Sequence, residues 1–373
     1  MKINWIMARA NLSGGTKSNR LIAEAMVRSG HEVNIAFVAL PKPSPKLLQF
    51  KRWLRHIHHE LKTQGQRHHH LEYSAATLIP VMENVIRPQH VPDADVSIAT
   101  WWETREWIED WPEEKGLKAY LVRHHELHGG DPNRVEATYR MTGLKFVIAK
   151  WLQKLMAEKY GDLNAVLVPN GVDRSQFDSM ARGRANRPTV GMLYGTQEWK
   201  GAATAFEALR RIRERYPDLR AIAFGSSPLL RKHNPPSWLE FHLRPRQDEI
   251  PRLYQQADCW IVPSTTEGFG MPGLEAAACH CPIVSTRCGG PEDYVEDGIS
   301  GFLVSIGDSA EMADAVCRVL GMSEDRWQAM SQASYTISTR FDWDRSAKIL
   351  EDTLLNALAG RGSCTRDRPV KNA

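Results

Sequence analysis

The run Cys259-Trp260-Ile261-Val262-Pro263 constrains the fold more than any other stretch. It is apolar without alternation, so a strand built from it has no face suited to water. Such a strand belongs inside a parallel sheet with helices on both faces. Ser264-Thr265-Thr266-Glu267-Gly268-Phe269-Gly270-Met271-Pro272-Gly273-Leu274-Glu275-Ala276-Ala277-Ala278 follows it. Leu274 to Ala278 is rich in helix formers, and Pro272 suits a first helical residue. A helix start behind a glycine loop is an anion site, because unpaired N–H groups and the helix dipole point the same way. Glu267 and Glu275 flank it. A carboxylate beside a phosphate site suits sugar hydroxyls, since it accepts two hydrogen bonds at once. A plain tight turn ahead of a charged helix start accounts for the local pattern equally well.

The same alternation runs through the whole chain. Ile3 to Ala8 reads as a strand, Asn11 to Thr16 as a loop, Ser18 to Ser29 as a helix closed by Gly30, and Val33 to Val38 as a second strand. Gly14-Gly15 thus lies at the first strand's carboxyl end, where open α/β sheets bind ligands. Its spacing is not G-x-G-x-x-G, which disfavours a dinucleotide cofactor. Asp95 to Thr100 and Lys118 to Arg123 read as buried strands, the latter delivering His124-His125-Glu126. Tyr139 to Tyr160 reads as helical around a strand at Phe146 to Ile148, and Ala165 to Val168 as the last strand of this half. Pro169-Asn170-Gly171-Val172-Asp173 breaks the pattern and marks a junction. The second half repeats the scheme, with strands at Pro188 to Tyr194, Leu219 to Phe224, Leu239 to Leu243, Pro282 to Thr286 and Gly301 to Val304. Helices from Ala310, Glu324 and Trp343 follow, and a polar tail from Gly360 is expected to fray. Two parallel-sheet α/β domains result, residues 1–172 and 173–340, with the helix of 341–373 returning to the first; the cleft between such domains is the default ligand site.

At 42% hydrophobic and 25% charged, the 373 residues can build large cores. A net charge of +4 favours anionic small molecules or an anionic surface but is too weak to argue for nucleic acid. Six cysteines (259, 279, 281, 288, 317 and 364) lack Cys-x-x-Cys spacing and read as reduced thiols of a cytoplasmic protein. Met1 to Ala8 is too short for a signal peptide, and no run of 18 apolar residues exists to cross a membrane. Lys46 to Arg67 is basic with apolar residues at helical spacing, which fits a solvated helix face or peripheral contact with the inner membrane face. His68-His69-His70 reads as an exposed loop, not a metal site.

Together these residues resemble a known family. Glu267 and Glu275 stand eight apart in Glu-Gly-Phe-Gly-x-x-x-x-Glu-Ala, similar to the E-x7-E signature of retaining nucleotide-sugar glycosyltransferases of the GT-B fold, the fourth family of the usual classification. Leu253-Tyr254-Gln255-Gln256-Ala257-Asp258, Pro169 to Asp173, Trp199-Lys200-Gly201, Gly289-Gly290-Pro291-Glu292 and Ser13-Gly14-Gly15 resemble further motifs of it, over residues 1 to about 358. The resemblance implies two Rossmann-like domains facing across a cleft. It also implies transfer of a sugar from a UDP- or GDP-type donor to an unknown acceptor, such as a polysaccharide or glycolipid precursor, without metal or cofactor.

Carried over, the resemblance gives Glu275 the ribose hydroxyls, and Glu267 with Gly268, Phe269, Gly270 and Met271 the transferred sugar. Lys200 would neutralise the diphosphate, Gly14 and Gly15 would admit it, and Asn170 would belong to the donor site. His124 or His125 would face the sugar, with His124 preferred. Two departures stand out. Met192 occupies the place of a usual arginine, for which Arg123, Arg244 and Arg246 are candidate substitutes. Ala278-Cys279-His280 replaces a motif ending in glycine, so a bulkier side chain must fit a turn. A nucleotide-sugar epimerase and a non-catalytic nucleotide-sugar binder are the alternative readings.

Overall fold

The computed structural model describes residues 1–39, 69–72 and 74–366, the side chains of 361–366 excepted. The basic Lys46 to Arg67 stretch, His68 and the side chain of Cys364 lie outside the described residues. The chain forms two compact units, the first comprising Met1–Ile148, Gln153–Val168 and Trp343–Ala373, the second Ala149–Leu152 and Pro169–Asp342.

The first unit holds a seven-stranded sheet: β1 (Lys2–Arg9), β2 (Glu32–Val38), β3 (Thr77–Val81), β4 (Val96–Ala99), β5 (Leu117–Val122), β6 (Leu144–Val147) and β7 (Val166–Leu167). Their order is β3-β2-β1-β4-β5-β6-β7, all parallel. The central strands are buried on both faces, as their unbroken apolar runs require. The Trp343–Arg366 helix packs on the Gly14–Arg28 helix, burying Ala347, Leu350 and Leu354. His31 Nε2 lies 2.9 Å from Glu351 Oε1 at that contact.

Several boundaries differ from the sequence reading. The first helix begins at Gly14, not Ser18, because Ser13 serves as its N-cap and accepts from the Thr16 N–H. Residues 139–160 are two helices and a strand, Pro132–Arg140, β6 and Lys150–Tyr160. Asp131 caps the first of these with Pro132 at its start, and Gly143 in a positive-φ conformation sets the turn into β6. The last helix passes Gly360 and ends at Arg366.

The second unit has six parallel strands: β8 (Thr189–Leu193), β9 (Arg220–Gly225), β10 (Leu239–Leu243), β11 (Cys259–Val262), β12 (Ile283–Thr286) and β13 (Gly301–Val304). Their order is β10-β9-β8-β11-β12-β13. Val190, Met192, Phe206, Leu209, Ile261, Phe302 and Trp327 are among its core residues. His280 does fit the turn where the sequence comparison expects glycine: it takes a left-handed conformation (φ 57°) and stacks flat on Tyr335, ring centroids 4.2 Å apart. Each sheet reverses its order once, between β1 and β4 and between β8 and β11. Parallel α/β sheets bind ligands beyond the carboxyl ends of the strands at such points.

Candidate functional site

In the second unit the loops after β8 and β11 meet at that reversal. Glu198–Lys200 forms a single helical turn ended by Gly201 at φ 64°. A Cβ there would stand 1.9 Å from the Pro263 carbonyl oxygen, so only glycine lets the two loops close. The Thr265 N–H donates to the Trp199 carbonyl at 2.7 Å. Lys200 Nζ therefore reaches Glu267 Oε1 at 2.7 Å, and the Ser264 hydroxyl donates to the same oxygen at 2.6 Å. Glu267 is also held through its backbone, donating to the Cys288 carbonyl and accepting from the Gly290 N–H.

The Met271–Ala278 helix starts directly behind, with Pro272 in its second position and Gly270 as a left-handed N-cap (φ 78°) that has no side chain to offer. Tyr294 donates to the Gly270 carbonyl at 2.6 Å, and the Trp151 indole N–H to the Gly268 carbonyl at 3.0 Å. The Gly268 and Gly270 carbonyls are thus taken from inside the protein. Among the described residues, no protein group accepts from the N–H groups of Gly268, Phe269 and Gly270, although all three residues are buried. Buried backbone donors without acceptors are rare in folded proteins. One turn into the helix, Glu275 is 7% exposed and its Oε2 accepts from the Tyr254 hydroxyl at 3.1 Å. Burial, reinforced by the Glu275 charge, raises the Tyr254 pKa well above its usual value, so this hydroxyl stays a donor. Asn170 is buried in the same unit, and Val172 beside it donates to the carbonyl of Phe341, whose ring lies 5.6 Å from that of Phe269.

The first unit presents a different rim. Asn11, Ser13 and Thr16 bond one another ahead of the first helix, and His70, buried rather than exposed, donates its N–H to the Asn11 carbonyl. Gly14 and Gly15 occupy the first helical turn rather than a loop. A Cβ on Gly14 would meet nothing within 4 Å, and one on Gly15 only the Ser13 hydroxyl at 3.6 Å. At the end of β5 the buried Arg123 donates to Asn19 Oδ1 at 3.1 Å and to the Ser18 hydroxyl. Desolvation lowers its pKa to about 10, which leaves it charged at neutral pH. His124 Nδ1 lies 3.0 Å from the His125 carbonyl, and His125 Nε2 lies 2.8 Å from the Tyr160 hydroxyl. Burial, then the Lys159 charge, lowers the His125 pKa and keeps that ring neutral. Glu126 is fully buried, and its Oε2 accepts from the Trp102 N–H at 2.8 Å and the Tyr120 hydroxyl at 2.9 Å. Desolvation pushes this carboxyl up to about 8, so it is mostly protonated at neutral pH.

Lys200, Glu267, Gly268, Phe269, Gly270, Met271 and Glu275 thus assemble around one helix start in the second unit, while Gly14, Gly15, His124 and His125 belong to the first. Met192 corrects the sequence comparison. It lies inside β8 with its side chain in the core, 1% exposed, so it does not stand at a ligand-facing position and an arginine there would be buried. Arg244 ends β10 in a left-handed conformation, its N–H donating to the Gly225 carbonyl, and Arg246 pairs with Asp248. Sequence reasoning missed Ser264, Tyr254, Tyr294 and Trp151. Among the described residues, no group of three or more His, Cys, Asp or Glu side chains could hold a metal ion, and no helix is long and apolar enough to cross a membrane.

Residues 187–322 match the family model described as "Glycosyl transferases group 1", the segment that carries Lys200, Glu267 and Glu275. Relatives in the same vein are the D-inositol 3-phosphate glycosyltransferase of Corynebacterium urealyticum, 32% identical over 43% of this chain and 41% of that protein, and that of Saccharomonospora viridis, 38% identical over 30% and 26%. The matches span from about a quarter to about half the length of these curated relatives. Among solved structures, Anabaena HepE in complex with UDP-glucose superposes with a TM-score of 0.74 at 17% identity over 95% of this chain and 100% of that one. Sucrose-phosphate synthase from Thermosynechococcus elongatus gives 0.72 at 15%, over 96% and 100%. The fold is GT-B, with two parallel-sheet Rossmann-like domains.

Proposed function

We propose that the chain is a retaining glycosyltransferase that moves a sugar from a UDP- or GDP-type donor to an acceptor hydroxyl without a metal. The observation that carries this reading is the set of buried, acceptor-free N–H groups at Gly268, Phe269 and Gly270, bracketed by the Lys200–Glu267 pair and by Glu275. Donor-only backbone beside a cation suits a diphosphate and sugar hydroxyls. In the reaction the bond from the sugar's anomeric carbon to the phosphate oxygen breaks and the acceptor oxygen bonds that carbon on the same face. The acceptor's proton passes to the departing phosphate. Charge builds on the diphosphate, where Lys200 and the helix start stabilise it. Glu275, steadied by Tyr254, holds the ribose, Asn170 supports the donor side, and Glu267 holds a hydroxyl of the transferred sugar. In the first unit, the open space before Gly14 and Gly15 suits the donor's phosphates. Of the two histidines that follow β5, the family resemblance favours His124 as the one that faces the sugar. An anionic polyol acceptor, of the kind named for the relatives, is the first to try.

Incubation with UDP- and GDP-sugars, with and without acceptor extracts, tests the reading. Nucleoside diphosphate release by the wild type and its loss in Glu275→Ala is the expected result. Epimer formation without release would sink transfer, and binding without turnover under every acceptor would leave a nucleotide-sugar binder. Peripheral work at the inner face of the membrane belongs to this reading too. It fails if neutralising Lys51, Arg52 and Arg55 leaves binding to anionic vesicles unchanged.

A further inference from the structure

The Lys150–Tyr160 helix begins within Ala149–Leu152, which belongs to the second unit, 117 residues before the Gly268 carbonyl that Trp151 meets. Two contacts seat this first turn. The Lys150 N–H donates to Asp293 Oδ2 at 2.9 Å, and the Trp151 indole N–H donates to the Gly268 carbonyl at 3.0 Å. The indole also lies against Gly289, where a Cβ would stand 2.7 Å from Trp151 Nε1. Gly289 is the bridge partner of Glu267. One side chain thus touches both strands of the bridge that carries Glu267.

We propose that Trp151 is a positioning residue for the transferred sugar, orienting the Phe269 N–H toward it by holding the Gly268 carbonyl. The argument is one of peptide geometry and rests on the donor reading above. The Gly268–Phe269 peptide is trans, so its N–H points opposite to its C=O. With the carbonyl fixed on the indole, the Phe269 N–H is aimed away from Trp151, and among the described residues no protein group accepts from it. Gly268 on one side gives the peptide wide freedom to turn about its ψ if nothing holds the carbonyl. The indole bond removes that freedom before ligand arrives, and a preoriented donor loses less on binding and in the transition state.

Trp151→Phe keeps most of the ring and deletes the N–H. The test uses the full chain and calorimetric titration of UDP, GDP and their glucose, mannose and N-acetylglucosamine conjugates. The quantity read is the ratio of affinity for the best-bound conjugate to that for its parent diphosphate. We expect Trp151→Phe to lower this ratio about tenfold, as loss of one well-placed hydrogen bond would. Binding of the parent diphosphate and the thermal midpoint should stay close to wild type. Turnover of the same conjugate should fall through kcat at least as much as through KM. Equal weakening of diphosphate and conjugate, or no change in either, overturns the assignment while leaving the donor reading intact. Wild-type protein that binds none of these compounds overturns both. Should Trp151→Phe unfold, Trp151→His, which keeps a ring N–H, is the second variant; it must retain a higher ratio than Trp151→Leu, or the inference fails.

Discussion

The two sheets share one strand order around their reversal, yet their rims treat polar groups in opposite ways. Around β1, β4 and β5 most polar side chains turn to protein neighbours, although Glu126 Oε1 is buried with no hydrogen-bond partner among the described residues. Ser13 caps its helix, Arg123 is spent on Ser18 and Asn19, and Glu126 on Trp102 and Tyr120. Around β8 and β11 the helix cap is a glycine with no side chain, the Gly268 and Gly270 carbonyls are held from behind, and a row of N–H groups has no acceptor among the described residues. The first arrangement stabilises a shape. The second leaves backbone donors open to water or, on the function proposed above, to a ligand. Equal topology therefore does not imply equal roles, and the difference lies in which hydrogen bonds the protein completes for itself.

That contrast predicts different responses to mutation. Lys200→Ala should cut turnover by about a hundredfold or more, as loss of a charge-stabilising group does. Its thermal midpoint should hardly move, because a partly exposed pair contributes little to stability. A large drop in stability with modest loss of turnover would erase the contrast. Glu126→Ala should do the reverse. It leaves the Trp102 N–H and the Tyr120 hydroxyl buried without acceptors, a loss of about 2–4 kcal/mol measurable by denaturant titration.

Glu126→Gln sharpens the point through pH. The folded-state pKa of Glu126 is raised, to about 8, so its contribution to stability is full below the unfolded carboxylate range and is lost as pH rises toward and through about 8. Glutamine mimics the protonated acid and keeps an acceptor for both donors. The variant's thermal midpoint should fall less than the wild type's between the carboxylate range and pH 8. Parallel curves would mean that Glu126 does not titrate this way. The smallest effect is expected for Tyr254→Phe, which removes one hydrogen bond to Glu275. It should weaken nucleoside diphosphate binding by about three- to tenfold in the same calorimetric assay.

Much of this was legible before any coordinates. Apolar runs such as Cys259 to Val262 announce buried parallel strands because nothing in them tolerates water. The Glu267–Glu275 spacing and the Lys200-Gly201 step announce their loops because the constraint is local, whereas the Gly14-Gly15 pair, read as a loop, opens the first helix. The partners of those residues were not legible. Tyr254 reaches Glu275, and Trp151 reaches Gly268, only because the strand order brings distant segments to one edge. Ser264 could have been found, since a serine hydroxyl three residues before a glutamate in a turning loop lies within reach to donate to its carboxylate. Met192 misled for a related reason. Motif comparison put it in the place of a usual arginine, whereas strand pairing, from Ile261 to Met192 to Ala223, places it inside the sheet.

The membership of Ala149–Leu152 and Trp343–Ala373 bears on how the protein can be dissected. A cut at the Pro169 junction looks natural on paper, but it separates each unit from a piece of itself. A fragment ending at Val168 would lack the Trp343–Arg366 helix and bare the surface that covers Leu350 and Leu354. A fragment from Pro169 to Asp342 would lack Trp151. The halves are interleaved in the chain, so complementation between overlapping fragments, not expression of each alone, is the way to ask what either unit does.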